Sequence, residues 1–162
     1  AQTLLAPQKY DLKDFTMTVD EDARGSFAES IETLQGVVFI LDGHLEAAKE
    51  LFQSLLERTE HSMSETLCQL NLLQIALLEG DHEKAEEYAS IRSVKSFLSL
   101  KMADVQMIQA WYQFKVKNDV AKTRKAMKTA RQKMNTSRML RDEKSYYENW
   151  LAELEQELDK GV

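Results

Sequence analysis

Between residues 27 and 41, Phe27, Ile31, Leu34, Val38 and Leu41 recur at steps of four, three, four and three, which keeps them on one side of an α-helix. Ser26 stands just ahead of this run with Glu29 three residues on, a capping-box spacing that predicts the helix start. Gly43 predicts its end, and Leu45, Ala48, Phe52 and Leu55 resume the spacing to about Arg58. The pattern then returns: Met63, Leu67, Leu70, Leu73 and Leu77 predict a third helix closed by Gly80-Asp81, and Ala85, Tyr88 and Ile91 open a fourth. The Ser-rich stretch Ser90 to Ser99 blurs where that fourth helix stops. Met102, Val105, Ile108, Trp111 and Phe114 predict a fifth, Asn118-Asp119 a turn, and Val120, Thr123, Met127, Ala130 and Met134 a sixth. A seventh is expected from about Arg141 to Lys160, with Leu140, Tyr147, Leu151, Leu154 and Leu158 down one side. No segment alternates as a strand would, so the expected class is all-α. Residues 1–25, with Pro7, Gly25 and the acids Asp20, Glu21 and Asp22, lack such periodicity and are expected to form a loosely structured acidic arm.

Gly43, Gly80 and Asn118 lie 37 and 38 positions apart, the mark of a repeated helical hairpin. Aligned on those turns, the first unit carries Gly36, Phe39, Gly43, Ala48, Phe52 and Leu55, and the second Leu73, Ala76, Gly80, Ala85 and Ala89. The third carries Trp111, Phe114, Asn118, Met127 and Ala130, with Thr123 where the others have a small Ala. Small residues opposite large ones let two helices approach closely. This arrangement resembles the tetratricopeptide repeat family, although the units exceed that family's usual length of about 34 residues and lack its terminal Pro.

The resemblance implies a right-handed solenoid of about three helix-turn-helix repeats within a domain of residues 26–160. Its hairpins would span about 26–60, 62–98 and 100–135, with a C-terminal capping helix over about 140–160. It implies a non-enzymatic adaptor, scaffold or chaperone-like role, in which the first helix of each hairpin lines a concave groove. The groove positions become Thr33, Val37 and Ile40, then Leu70, Gln74 and Leu77, then Ile108, Tyr112 and Lys115. Their mostly apolar character suits a helical or extended apolar segment of another protein, with Tyr112 as anchor and Gln74 and Lys115 orienting it. Thr33, Val37 and Leu70 occupy places where members that capture acidic chaperone tails carry Lys or Asn, so that clamp is not expected. The competing expectation is that the arm or the last helix fills the groove from within. In the last helix Tyr147, Trp150, Leu151 and Leu154 suit a solenoid cap, while Tyr147, Leu151, Leu154 and Leu158 also make a short heptad-like seam for a homodimer or partner helix.

Charge changes this picture in one place. The chain of 162 residues carries a net charge of −6, yet Lys115 to Arg141 contains ten basic residues against the single acid Asp119. On the sixth helix Arg124, Lys128 and Arg131 share one flank, and Lys122, Lys125 and Lys133 the back. The alternatives are a solvated or self-docked face, an acidic protein partner, or nucleic acid and anionic lipid. The lack of interleaved aromatic residues disfavours nucleic acid.

Candidate chemistry adds little. His44, His61 and His82 lack metal-ligand spacing, Cys68 is the only cysteine and sits on an apolar helix, and no Gly-rich phosphate loop is present. No catalytic residue, metal or cofactor is therefore expected. No apolar run reaches the ~20 residues of a membrane span and no signal peptide is evident, so a cytoplasmic location is expected. The first residue being Ala1, a sensor or regulatory piece of a larger protein is a further alternative.

Overall fold

The computed structural model describes residues 21–136 and 141–160. The expected arm up to residue 20, together with Arg138 and Leu140, lies outside the described residues. Every described element is helical: α1 (Glu21–Leu41), α2 (Leu45–Arg58), α3 (Ser62–Glu79), α4 (His82–Ala89), α5 (Arg92–Leu98), α6 (Ala103–Lys115), α7 (Val120–Thr136) and α8 (Arg141–Lys160). The chain divides into two compact units, Ala1–Ile75 and Ala76–Val162, and the division falls inside α3.

All three expected turns carry a left-handed residue: Gly43 at φ 81°, Gly80 at 75° and Asn118 at 52°. Gly and Asn enter that region most readily, which is why those residues punctuate the sequence. After Gly43 the His44 N–H donates to Phe39 O at 2.8 Å, and after Gly80 the Asp81 N–H donates to Ala76 O at 2.9 Å. These are matching Schellman closures of α1 and α3. Around Asn118 the Asp119 N–H reaches one residue further back, to Gln113 O at 2.9 Å. Asp81 then caps α4 by accepting from the Lys84 N–H at 3.1 Å, and Asp119 caps α7 by accepting from Lys122 at 2.9 Å.

In the first unit α1 packs on α2 around the fully buried Phe52. A Cβ added at Gly36 would lie 2.3 Å from Phe52 Cζ, so only glycine lets the ring reach the α1 backbone. At the far end Arg58 donates to both carboxylate oxygens of Glu32, at 3.5 and 2.5 Å, and the Thr59 hydroxyl donates to Glu29 Oε2 at 2.8 Å.

The second unit is centred on the close pairing of α6 with α7, and Ala110, Thr123, Ala126, Met127 and Ala130 on these two helices are all buried. Thr123 stands where a small Ala was expected, and its hydroxyl is accommodated by donating to Asp119 O at 2.7 Å. Helix α8 packs on α6, where Trp150 stacks on Trp111 with ring centroids 5.2 Å apart and planes 21° from parallel. Glu157 on α8 pairs with Lys115, and Glu155 with Arg131.

Two sequence expectations are corrected. Helix α1 begins at Glu21, so Ser26 and Gly25 lie inside it and the capping-box spacing is not a cap. A lone glycine costs a helix only about 1 kcal/mol, which continuation of the helix can outweigh. The expected fourth helix is two helices, α4 and α5, separated at Ile91, whose ψ of 129° is extended. Buried Ala85 and Ala89 are followed by buried Val94 and Leu98. The step of five from Ala89 to Val94 would turn an unbroken helix off its buried face, and the break restores it.

Candidate functional site

The nine residues assigned to a groove are mostly not open to a ligand. Ile40, Leu70, Gln74, Leu77, Ile108 and Tyr112 are buried, and Thr33, Val37 and Lys115 are half-buried. The Thr33 hydroxyl donates to Glu29 O at 2.9 Å. Lys115 is engaged by Glu157 and lies 5.4 and 5.5 Å from the ring centroids of Trp111 and Phe114, so it serves the packing of α8. Tyr112, expected to anchor a partner, donates its hydroxyl to Glu86 Oε2 at 3.0 Å, and Glu86 also accepts from Lys117 at 2.7 Å. Lys117, and then Tyr112, hold the Glu86 carboxyl below its ordinary range despite some burial, while burial and Glu86 push the Tyr112 phenol up. The phenol therefore stays protonated as the donor in a closed Tyr112–Glu86–Lys117 cluster. Its replacement tests packing rather than capture.

The seam proposed for a homodimer is likewise used within the chain. Tyr147, Leu151, Leu154 and Leu158 are buried on the side of α8 that carries Trp150. They cap their own unit and offer no free apolar stripe for a second copy.

The basic residues of α7 behave differently. Lys122, Arg124, Lys125, Lys128, Arg131 and Lys133 are all exposed, while the buried stripe of the helix runs through Thr123, Met127, Ala130 and Met134. Arg131 is paired with Glu155, and Lys122 lies 4.0 Å from Asp119. Arg124, Lys125, Lys128 and Lys133 have no carboxylate within ion-pairing distance among the described residues. The two flanks differ: Arg131 turns toward α8, whereas Lys122 and Lys125 border a cleft of about 270 Å³ floored by α6.

That floor was not singled out in the sequence. Gln106, Gln109 and Gln113 recur at steps of three and four on α6, all facing the cleft. Gln106 Nε2 donates to Leu98 O at 3.3 Å and Leu100 O at 2.8 Å, and so pins the loop between α5 and α6. Gln113 Nε2 donates to Gln109 Oε1 at 3.3 Å, and Gln109 Nε2 to Leu98 O at 3.5 Å. Lys95 on α5 and Lys101 in the loop add basic groups on the opposite wall. The legible signal was the polar i, i+3, i+7 stripe on an otherwise apolar helix.

No family model, curated protein or solved structure matches this chain. Its chemistry is accordingly read from the residues alone. Among the described residues no group of three or more His, Cys, Asp and Glu is placed to hold a metal, and no helix is long and apolar enough to cross a membrane.

Cys68 is fully buried, and burial, then Glu29 and Glu32, push its thiol up to about 11, with Arg58 opposing. A buried, protonated thiol is a poor nucleophile. Thiol reagents should therefore label it only as fast as the chain opens. The unfolded chain releases this proton near pH ~8.5, whereas the folded chain keeps it to about 11. The unfolded state thus binds fewer protons over that window, and this group's contribution to stability falls as pH rises. Urea midpoints at about pH 8 and 10 should show a smaller alkaline loss in Cys68→Ala than in the parent. An equal loss would show that Cys68 is not its source.

Proposed function

We propose that this chain is a non-enzymatic protein-interaction module, an adaptor or scaffold built of tetratricopeptide-like hairpins, which docks an acidic segment of a partner protein on the basic surface of α7. The observation that carries this reading is the exposure of six basic side chains there, four of them without a carboxylate partner among the described residues. Unpaired like charges on one helix repel each other and are relieved by an anionic partner. The matched left-handed turns at Gly43 and Gly80, and the small-against-large contact of Gly36 with Phe52, support the hairpin-repeat part of the reading. The apolar groove first expected gains no such support, since six of its nine positions are buried.

A blocked oligoglutamate peptide carrying a fluorophore tests the reading by anisotropy. The chain should bind it, and Lys122, Arg124, Lys125 and Lys128 together changed to Glu should weaken binding by about tenfold or more. Raising salt from ~50 to ~200 mM should also weaken it, as expected where opposite charges meet. No binding at low salt, or binding indifferent to the reversal, sinks the proposal. Tighter retention of a single-stranded DNA probe than of the peptide would instead favour nucleic acid.

A further inference from the structure

Two cavities in the second unit, of about 480 and 270 Å³, share Leu98, Gln109, Gln113 and Lys122 and so form one continuous trough. Its floor is α6, one wall comes from α5 and its following loop, and the other from α7. The smaller end is lined by Lys101, Lys122 and Lys125 and by no carboxylate. At the larger end both carboxylates are already paired with lysines: Glu86 accepts from Lys117 and from Tyr112, and Asp119 Oδ2 lies 4.0 Å from Lys122 Nζ. Lys95 and Lys101 on one wall and Lys125 on the other have no carboxylate within ion-pairing distance among the described residues, so unneutralised positive charge faces the trough from both sides.

The floor adds a second kind of recognition. Gln106 to Gln113 covers about 10 Å of helix at 1.5 Å per residue, the length of about three residues of extended chain. A carboxamide has both donors and an acceptor. After the bonds described above, Gln109 and Gln113 each retain an N–H with no protein acceptor, and Gln113 retains its carbonyl oxygen. An extended peptide brings N–H and C=O groups in alternation and can use both. A phosphodiester backbone brings acceptors only. A single-stranded nucleic acid also stacks its bases on exposed aromatic rings, and Tyr112, the aromatic residue lining the trough, is buried and tied to Glu86.

From this combination we infer that the trough between α5 and α7 seats an extended acidic peptide, with Gln109 and Gln113 pairing its backbone and Lys101, Lys122 and Lys125 its carboxylates. The inference rests on the acidic-partner reading above and gives that partner a backbone conformation and a binding site. It also divides the basic residues of α7. Lys122 and Lys125 touch the ligand, and Arg124 and Lys128, on the other flank, act only through the long-range field.

The test uses the same oligoglutamate probe with two variants and circular dichroism to verify helicity. Gln109→Leu with Gln113→Leu leaves every charge in place and should reduce affinity about tenfold, the effect of one to two net hydrogen bonds. Lys101→Glu with Lys125→Glu should reduce it further, and Arg124→Glu with Lys128→Glu by less than either. Should the helix-reversing quadruple variant lose binding while the glutamine pair binds like the parent, the trough is refuted and the acidic-partner reading stands. If the parent chain does not bind the probe, both fall. Equal loss of oligothymidylate binding in the glutamine pair would overturn the assignment of the ligand as a peptide.

Discussion

Replacing Trp150 with Ala should lower the stability of the folded chain by about 3–5 kcal/mol, the usual cost of removing a large aromatic side chain from a packed interior. Trp150 is only 5% exposed, stacks on Trp111 and lies 6.1 Å from the Tyr146 ring centroid. It is thus the main aromatic contact between α8 and α6. Its loss removes both the area buried by an indole and the offset stacking, which adds about 0.5–1.5 kcal/mol. Trp111 Nε1 is buried without a hydrogen-bond partner among the described residues, so the contacts of its ring, Trp150 foremost, hold the indole in place. Trp150→Phe should retain part of the stack and cost distinctly less. The ion pair of Arg131 with Glu155 lies at the surface, so Arg131→Ala should cost under about 1 kcal/mol. Urea unfolding followed by circular dichroism measures all three. A Trp150→Ala loss no greater than that of Arg131→Ala would show that α8 is not held by its aromatic face.

Phe52→Ala should have an effect of similar size, about 3–5 kcal/mol, because the side chain is fully buried between α1 and α2. What makes this site informative is its coupling to Gly36. In the parent, Gly36→Ala sets a methyl group 2.3 Å from Phe52 Cζ, so the ring or the α1 backbone must shift. Overpacking of this kind costs about 1–3 kcal/mol. The gain of about 0.5–1 kcal/mol from replacing a mid-helix glycine does not offset it. In the Phe52→Ala background the clash is gone and that gain remains, so the same Gly36→Ala change should become stabilising. A double-mutant cycle reads this as a change of sign. If Gly36→Ala is neutral or stabilising in both backgrounds, the close approach of the Phe52 ring to α1 is wrong.

These two sites illustrate how much was legible beforehand. The repeat pattern marks Gly36 and Phe52 as a small and a large packing residue, and the structure sets one directly against the other. The turns at Gly43, Gly80 and Asn118 were legible because a positive φ strongly selects residue type. The start of α1 and the break at Ile91 were not. Helix ends depend on small local energies, and the Ser26 capping pattern and Gly25 were outweighed by continuation of the helix toward Glu21. The break depends on which face of α5 is buried, which no local pattern states.

The candidate site divides in the same way. The basic flanks of α7 followed from helical periodicity alone, since 100° per residue places Lys122 and Lys125 apart from Arg124, Lys128 and Arg131. Their exposure was expected, because a solvated face is the ordinary fate of charge. What borders them was not readable. The Gln106, Gln109 and Gln113 ladder gains meaning only when α5 and α7 are set on either side of it, and the burial of Tyr112 and its bond to Glu86 likewise arise between elements. Periodicity reports which side of a helix is apolar, a property of one element. Cover depends on a second element, and the elements that meet across the trough are separated by loops.

The sequence by itself therefore determined that this protein is helical, where its three left-handed turn residues fall and which face of α7 is charged, because backbone conformation and helical period are local properties of the chain. Only the tertiary structure decided that most of the expected groove is buried, that Trp150 of α8 stacks on Trp111 of α6, and that α6 presents carboxamides between two basic walls. Burial and charge complementarity arise between elements and are set when those elements pack.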